Sequence, residues 1–496
     1  MKSIVAKALA VAAAMTLAAC AVQPATHADL PQTVKTVAPD AWSVDAPKDT
    51  VDADEWWSQF GDPTMHRLVD IVLNDNLDVK AAVERVRQAQ DITKQQRAAL
   101  APQLDAGATA SYERQNTPPP LGYVKQAGIG LTASWQPDVF GGERLAVLAA
   151  QAQVSGRQSA LNELRLALAA NAAAAYIDLR WAQSQLQIVN DNQEIRSRAL
   201  KLTQQRLKYG LSTQLDVARA QNQLQDLQAQ IPKIQSDIQH DMSLIAVYSG
   251  RTPESVDSLL LAQARPIPVP AQSVPQTLPS EALLRRPDVR TAYASVEQRA
   301  AEVGVARADR YPKFRLSLSD GILASSYLGL PTLTDNLFSA ALSATSPIFN
   351  AGRITANIDQ NESRMRESQL GLQQTMLNAL KEIEDTRSDL VNGDTQVAKL
   401  AGALDASGKA LRLSNELYKG GASSFLDVLD AQEAYLRDSE SLNQAKREHA
   451  QAAVALYRSL GGGWDAPANA NADANANANA NANVAKTKPA TDVAAN

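Results

Sequence analysis

One punctuation pattern occurs twice in this chain, at an offset of about 210 residues. Asp78-Val79 returns as Asp288-Val289, Pro102 as Pro312, Pro137 as Pro347, Gly142 as Gly352, Gly210 as Gly421, and Leu215-Asp216-Val217 as Leu426-Asp427-Val428. Two long units with the same landmarks in the same order predict one supersecondary plan used twice, and hence internal pseudo-symmetry. Many enzyme architectures are excluded by that alone. With 496 residues the usual prior is two to four domains, but the duplication also fits one elongated body made of two halves.

The lone cysteine, Cys20, carries information through its position. Lys2 and Lys7 form a positive start, Ala8 to Met15 an apolar core too short to span a membrane, and Leu17-Ala18-Ala19-Cys20 follows. This order resembles a bacterial lipoprotein signal over residues 1–19, which implies lipidation of Cys20 and, with Ala21 rather than Asp next, delivery to the outer membrane; an ordinary secretory signal cut near the same small residues, with Cys20 lost or left as a free thiol, is the alternative. A chain with no other cysteine has no disulfides and no thiolate metal sites. The formal charge of −5 comes without a basic stripe, so nucleic acid is not an expected partner. No segment reaches the roughly 18 apolar residues of a transmembrane helix, so any crossing must use strands.

Residues 20–62 are aperiodic and read as an extended arm. Residues 63–250 form the first repeat, 251–279 a linker, 280–464 the second repeat, and the Ala/Asn-rich residues 465–496 a tail predicted to be disordered. Each repeat opens with helices and continues with two alternating segments of about ten residues, the length of a tilted membrane strand. In the first hairpin, about 104–135, Leu104, Ala106, Ala108, Ala110 and Tyr112 share one face, as do Ala127, Ile129, Leu131, Ala133 and Trp135. In the second, about 314–346, Phe314, Leu316 and Leu318 alternate with polar residues, as do Phe338, Ala340, Leu342 and Ala344. Soluble hairpins share this period. A helical hairpin follows each, over about 143–249 and 353–459. From Gly142 to Tyr209 there is no proline, and Leu164, Leu168, Ala172, Ala175, Leu179, Ala182, Leu186 and Val189 recur at spacings of three and four, the seam of a coiled coil. Second helices return to about Ser249 and Ser459.

Four membrane strands do not close a barrel, and an open edge in lipid costs several kcal/mol per unpaired group. Two chains would supply eight strands and a plugged lumen; three would supply twelve and room for a pore. The fold class expected is mainly α with a transmembrane β part, a homotrimer forming a 12-stranded β-barrel on a long α-helical barrel.

Four blocks carry a resemblance: Trp56-Trp57-Ser58-Gln59-Phe60-Gly61-Asp62-Pro63, Arg285-Arg286-Pro287-Asp288-Val289, Pro347-Ile348-Phe349-Asn350-Ala351-Gly352-Arg353, and Ala455 to Trp464 with Tyr457, Arg458 and Gly461-Gly462-Gly463. They resemble the signature blocks of TolC-like outer membrane factors, and the lipoprotein signal narrows the likeness to the NodT-type subgroup that serves resistance-nodulation-division pumps. The resemblance implies a passive efflux duct docked to a periplasmic adaptor and an inner-membrane pump; type I protein secretion is the alternative in the same architecture, and a periplasmic scaffold lipoprotein without a pore the alternative outside it. The Ala/Asn tail departs from the family pattern.

Asp427 and Asp430, three apart on one helix face, form the candidate gate, since three copies would set six carboxylates around the mouth. The plainer expectation is an acidic first turn at a helix N-terminus. Asp216 has Arg219 where the second aspartate would stand, and Arg219 pairing with an aspartate would hold the mouth shut. The turns Gly210-Leu211-Ser212-Thr213 and Gly421-Ala422-Ser423-Ser424 resemble the family's adaptor-docking tips, and glycine at a helix end also suits simple C-cap chemistry. His27, His66, His240 and His449 lack metal-ligand spacing. Neither a phosphate loop nor a nucleophile elbow is present, so no cofactor, metal or enzymatic activity is expected.

Overall fold

The computed structural model describes residues 22–43, 48–49, 55–115, 122–255, 265–269, 274–275, 277–327 and 333–462. The predicted signal, Cys20 and the tail lie outside them, as do residues 116–121 of the first strand hairpin and about half of the 251–279 linker. In chain order the elements are α1 (Leu30–Val37), β1 (Lys48–Asp49), a 3-10 turn (Trp56–Phe60), α2 (Pro63–Asp75), α3 (Leu77–Ala98), β2 (Gln103–Gln115), β3 (Gly122–Trp135), α4 (Gly142–Lys208), α5 (Gln214–Gln228), α6 (Ile231–Tyr248), β4 (Val274–Pro275), α7 (Pro279–Arg285), α8 (Pro287–Ala308), β5 (Lys313–Tyr327), β6 (Leu333–Thr345), α9 (Arg353–Gly420) and α10 (Phe425–Ser459).

The arm is not extended throughout, contrary to the reading above. Asp29 accepts from the Gln32 N–H at 2.9 Å and starts α1, which buries Val34. Leu30, Val34 and Val37 recur at spacings of four and three, but eight residues are a shorter window than a helical periodicity needs. The returning helix of the first half is also interrupted, into α5 and α6. Pro232 has no N–H, and its ring meets the carbonyl four residues back, so the helix stops at Gln228 and restarts at Ile231. Its counterpart α10 has no proline and runs unbroken for 35 residues.

Packing divides the chain into two units, each drawing on both halves of the sequence. The first is Met1–Val37, Ala81–Leu161 and Pro287–Leu377; the second is Ala38–Lys80, Asn162–Arg286 and Asn378–Asn496.

In the first unit, β2, β3, β5 and β6 form an antiparallel sheet in the order β2-β3-β5-β6. The strands are 13 to 15 residues long, beyond the ten read from alternation. Register pairs Ala108 with Ile129 and Ile129 with Ile322, Ala133 with Leu318, and Leu318 with Ala340. Directly opposed residues point to the same side, so the apolar sets of all four strands coincide on one face. Asp320, opposite Leu131 and Phe338, is a charged exception on that face. Leu104, Ile129, Phe338 and Leu342 are exposed there in the single chain. Both edge strands, β2 and β6, have one side unpaired. Where strand gives way to helix, Gly141 (φ +88°) and Gly352 (φ +85°) take the left-handed conformation, and their carbonyls accept the first helical N–H from Leu145 and Ala356 at 2.9 Å each.

In the second unit Leu168, Ala172, Ala175, Leu179, Ala182 and Val189 of the predicted seam of α4 are buried and Leu164 and Leu186 half-buried; Ala169, Ala173, Tyr176 and Ile177 off the seam are buried as well, so this stretch packs on more than one side. Three of the four signature blocks converge here. Trp56 is fully buried and stacks on Tyr457, centroids 5.7 Å apart and 10° from parallel. Asp62 caps α2 through the Thr64 and Met65 N–H groups and accepts the Tyr176 hydroxyl at 2.7 Å. Arg286 donates to the Ser459 carbonyl at 2.7 Å and to Glu382 at 2.8 Å, and Arg458 donates to the other Glu382 oxygen at 2.8 Å.

The junction before α8 repeats the junction before α3. Asn76 donates to the Tyr248 carbonyl at 2.9 Å, as Arg286 does to Ser459, each anchoring the end of a returning helix. Gly250 abuts the Asp75 carbonyl, and Gly461 abuts the Arg286 backbone. No helix among the described residues is long and apolar enough to cross a membrane.

Candidate gate and tip site

Both small-residue turns belong to the second unit and share one geometry. After α4, Leu211 N–H bonds the Arg206 carbonyl at 2.8 Å and Gly210 N–H the Leu207 carbonyl at 2.9 Å; after α9, Ala422 N–H bonds Leu417 at 2.9 Å and Gly421 N–H bonds Tyr418 at 3.1 Å. This pair of bonds is the Schellman ending, and the glycines at φ +70° and +78° satisfy its left-handed requirement. The next helix starts in a capping box each time. Thr213 and Asp216 exchange bonds at the start of α5, and Ser424 and Asp427 do so at the start of α10.

Two of the candidate gate aspartates are therefore committed to helix starts. Asp427 receives the Ser424 hydroxyl at 2.8 Å and N–H at 2.9 Å, which hold its carboxyl below the usual range. Burial pushes the Asp216 carboxyl up, but bonds from Thr213 and Ser212 and the field of Arg219 outweigh it and leave the group lowered. Arg219 acts on Asp216 through space; among the described residues it forms no ion pair. Asp430, one turn beyond Asp427, is exposed and uses its carboxylate in no hydrogen bond among the described residues. The acidic-first-turn reading thus holds for Asp427, while Asp430 keeps its charge uncommitted.

The tips meet through residues that the sequence pattern did not single out. Arg206 donates to the Tyr418 carbonyl at 2.7 Å and to the Lys419 carbonyl at 3.3 Å, and its guanidinium lies 4.6 Å from the Tyr418 ring centroid. A cation thus caps the C-terminus of a different helix, where the macrodipole favours it. Beneath it, Ala199, Ala220, Tyr418, Phe425 and Val428 form an apolar cluster. Basic residues in the last turn of α4 were the available signal, but a partner 212 residues away is not visible in periodicity. Leu211 of the first tip, with Leu215 and Leu426 just beyond the turns, stands exposed. Gly210, Thr213, Gly421, Ala422 and Ser424 are exposed as well, with Ser212 and Ser423 half-buried.

Farther along the hairpins, Asp241 is raised to about 6 by burial and by repulsion from Asp178 and Asp237, against the pull of Arg447 and His240. Its folded pKa exceeds the ordinary 3.8, so the folded state holds the proton more tightly, and wild-type stability falls as pH rises from about 4 to about 6. Asp241→Asn removes that loss. The variant is expected to be more stable than wild type by about 1 kcal/mol at pH 7.5, a figure reduced for solvent screening of a half-exposed group. The difference closes near pH 4. Thermal unfolding at the two pH values checks it, and an equal gain at both would rule out this origin.

A mainly helical chain with an open four-stranded sheet and paired helical hairpins is the fold of TolC-like outer-membrane channels. The chain belongs to the family described as outer membrane efflux protein, whose profile matches residues 68–250 and 278–462. It is 29% identical over 472 residues to the pyoverdine export outer membrane protein OpmQ of Pseudomonas aeruginosa, covering 92% of this chain and 96% of that one. Nodulation protein T of Rhizobium leguminosarum bv. trifolii is 27% identical, covering 83% of this chain and 88% of the relative. Among solved structures, the outer-membrane channel OprN superposes with a TM-score of 0.78 at 28% identity, over 86% of this chain and 99% of that one. The protein is an outer-membrane efflux channel and acts within a tripartite efflux system. Its family is one of channels, not of enzymes.

Proposed function

We propose that three copies of this chain close their sheets into one twelve-stranded barrel above a helical barrel, forming a passive exit duct that a periplasmic adaptor and an inner-membrane pump load from below. The observation that carries this reading is the sheet itself, with the apolar sets of its four strands on one face and an unpaired edge on both β2 and β6. In lipid those edges demand partners, and four strands from one chain do not enclose a lumen. Lipidation at Cys20 would anchor the duct. The matched junctions at Asn76/Tyr248 and Arg286/Ser459 favour an origin by tandem duplication.

The tips Gly210–Thr213 and Gly421–Ser424 are the adaptor-docking surface in this reading, and the carboxylates at the start of α10 line the gate. Asp430 supplies the free charge of each copy, Asp427 the cap that aims it, and Asp216 with Arg219 the neighbouring charges. Cargo is small molecules, the class to which the pyoverdine in the OpmQ name belongs.

Planar-bilayer conductance of the purified full-length protein tests the gate. Asp430→Asn preserves shape and removes the charge, so divalent-cation block is expected to weaken by about tenfold. Asp427→Asn is expected to weaken block less. Wild-type channels whose block Asp430→Asn leaves unchanged would remove Asp430 from the gate; a verified assembly without conductance in either variant would count against the duct.

A further inference from the structure

A groove of about 350 Å³ lies in the first unit, lined by α3, α4, α8 and α9. Its polar wall consists of carboxamides: Gln96, Gln153, Gln298, Asn357 and Asn361, with Glu302 among them. On α4, Ala146, Ala149 and Gln153 recur at spacings of three and four, so one helix face presents small apolar side chains beside an amide. The carboxylates present are already matched. Glu302 accepts from Arg299 at 2.7 Å and from Gln298 at 2.9 Å, and Asp309 pairs with Lys313 at 2.8 Å. No aromatic residue lines the groove.

The amides are only partly used. Asn361 donates to the Asn357 backbone carbonyl at 2.8 Å and to its side-chain oxygen at 3.3 Å. Gln298 spends its amide on Glu302, leaving its carbonyl. The side-chain amides of Gln96 and Gln153 make no hydrogen bond among the described residues. A carboxamide offers a donor and an acceptor side by side, so several converging on one groove complement a ligand that carries the same pair repeatedly. Such a ligand is an amide. A free cation finds no unmatched carboxylate here, an anion no unmatched base, and a flat apolar molecule no ring to stack on.

We propose that this groove binds small uncharged molecules rich in amide groups, and so gives the duct a holding point for peptide-like cargo in transit. Binding itself is independent of the duct; its place on the export path rests on the function proposed above. The volume falls at the small end of ligand sites, which fits a compound of a few amide units.

The test is calorimetric titration of the full-length detergent-solubilised protein with N-acetyl-triglycine amide, alongside 1,6-hexanediol as a shorter apolar-chain control without amides. Saturable binding of the amide at millimolar concentration or tighter is expected, with the diol at least about tenfold weaker, as the loss of several hydrogen bonds at uncharged groups implies. The Gln153→Leu, Asn357→Leu double variant is expected to lose at least tenfold in amide affinity. Gln153→Glu, Asn357→Asp keeps size and is expected to lose comparably by replacing donors with acceptors, so a poorly folded leucine variant would not decide the matter. Absent amide binding, equal binding of the diol, or unchanged affinity in both variants would overturn the proposal. Potassium chloride conductance is recorded in parallel. Conductance without amide binding defeats this inference alone, and amide binding without conductance defeats the duct.

Discussion

Glu382→Ala lowers the free energy of unfolding by about 2 kcal/mol, between the ranges for surface and buried ion pairs, because Arg286 is nearly buried while Glu382 is 30% exposed. The loss comes from the partner left behind. The Arg286 side chain is only 10% exposed, and without Glu382 its guanidinium keeps the Ser459 carbonyl but loses the counter-charge 2.8 Å away. Arg458, 44% exposed, returns to solvent. Arg458→Ala therefore costs under about 1 kcal/mol, as for a surface pair. Burial raises the Glu382 carboxyl, but both arginines outweigh it and leave it below its ordinary value, so the clamp holds at neutral pH and weakens only in acid. Thermal unfolding of the two variants in one detergent checks the contrast. Equal losses would mean that Glu382 serves as a surface charge and that the convergence of signature blocks on it has no energetic weight.

The second large effect falls on Gly250 and Gly461. Both have left-handed φ, +63° and +73°, which costs about 1–2 kcal/mol for a residue with a Cβ. Both also touch backbone. A Cβ at Gly250 would lie 2.7 Å from the Asp75 carbonyl oxygen, and one at Gly461 would lie 3.2 Å from the Arg286 nitrogen and Cα. Gly250→Ala is expected to lose about 3 kcal/mol or more and Gly461→Ala about 2–3 kcal/mol, conformational cost and overpacking together. The tip glycines supply the control. Gly210 has the same hand of φ with nothing within 4 Å of its Cβ position, so Gly210→Ala is expected to lose only the conformational part, about 1–2 kcal/mol. Chemical unfolding ranks the three. If Gly210→Ala is as harmful as Gly250→Ala, the close approach to Asp75 is not what requires glycine there.

Much of this architecture was legible because it is local or periodic. Alternation located the four strands, and their register brings the predicted apolar sets onto one face. Spacings of three and four located the buried seam of α4. Asp216 and Asp427 stand three residues after Thr213 and Ser424, a spacing that holds within one helical turn wherever the helix goes. The break at Pro232 is equally local, but the apolar pattern around it reads as continuous helix.

What escaped the sequence depends on residues far apart in the chain. Nothing near Arg206 indicates that it caps α9, and nothing near Glu382 indicates that it joins Arg286 to Arg458. The roles of the candidate aspartates were likewise divided only in three dimensions, where Asp427 is drawn into the capping box and Asp430 is left in solvent. By itself the sequence determined the long helices, the glycine turns, the strand faces and the doubled plan, because backbone propensity and periodicity act over a few residues. Tertiary structure alone decided which charges are matched, which amides converge on a groove and which glycines must stay bare, because those follow from distances between segments that no spacing along the chain encodes.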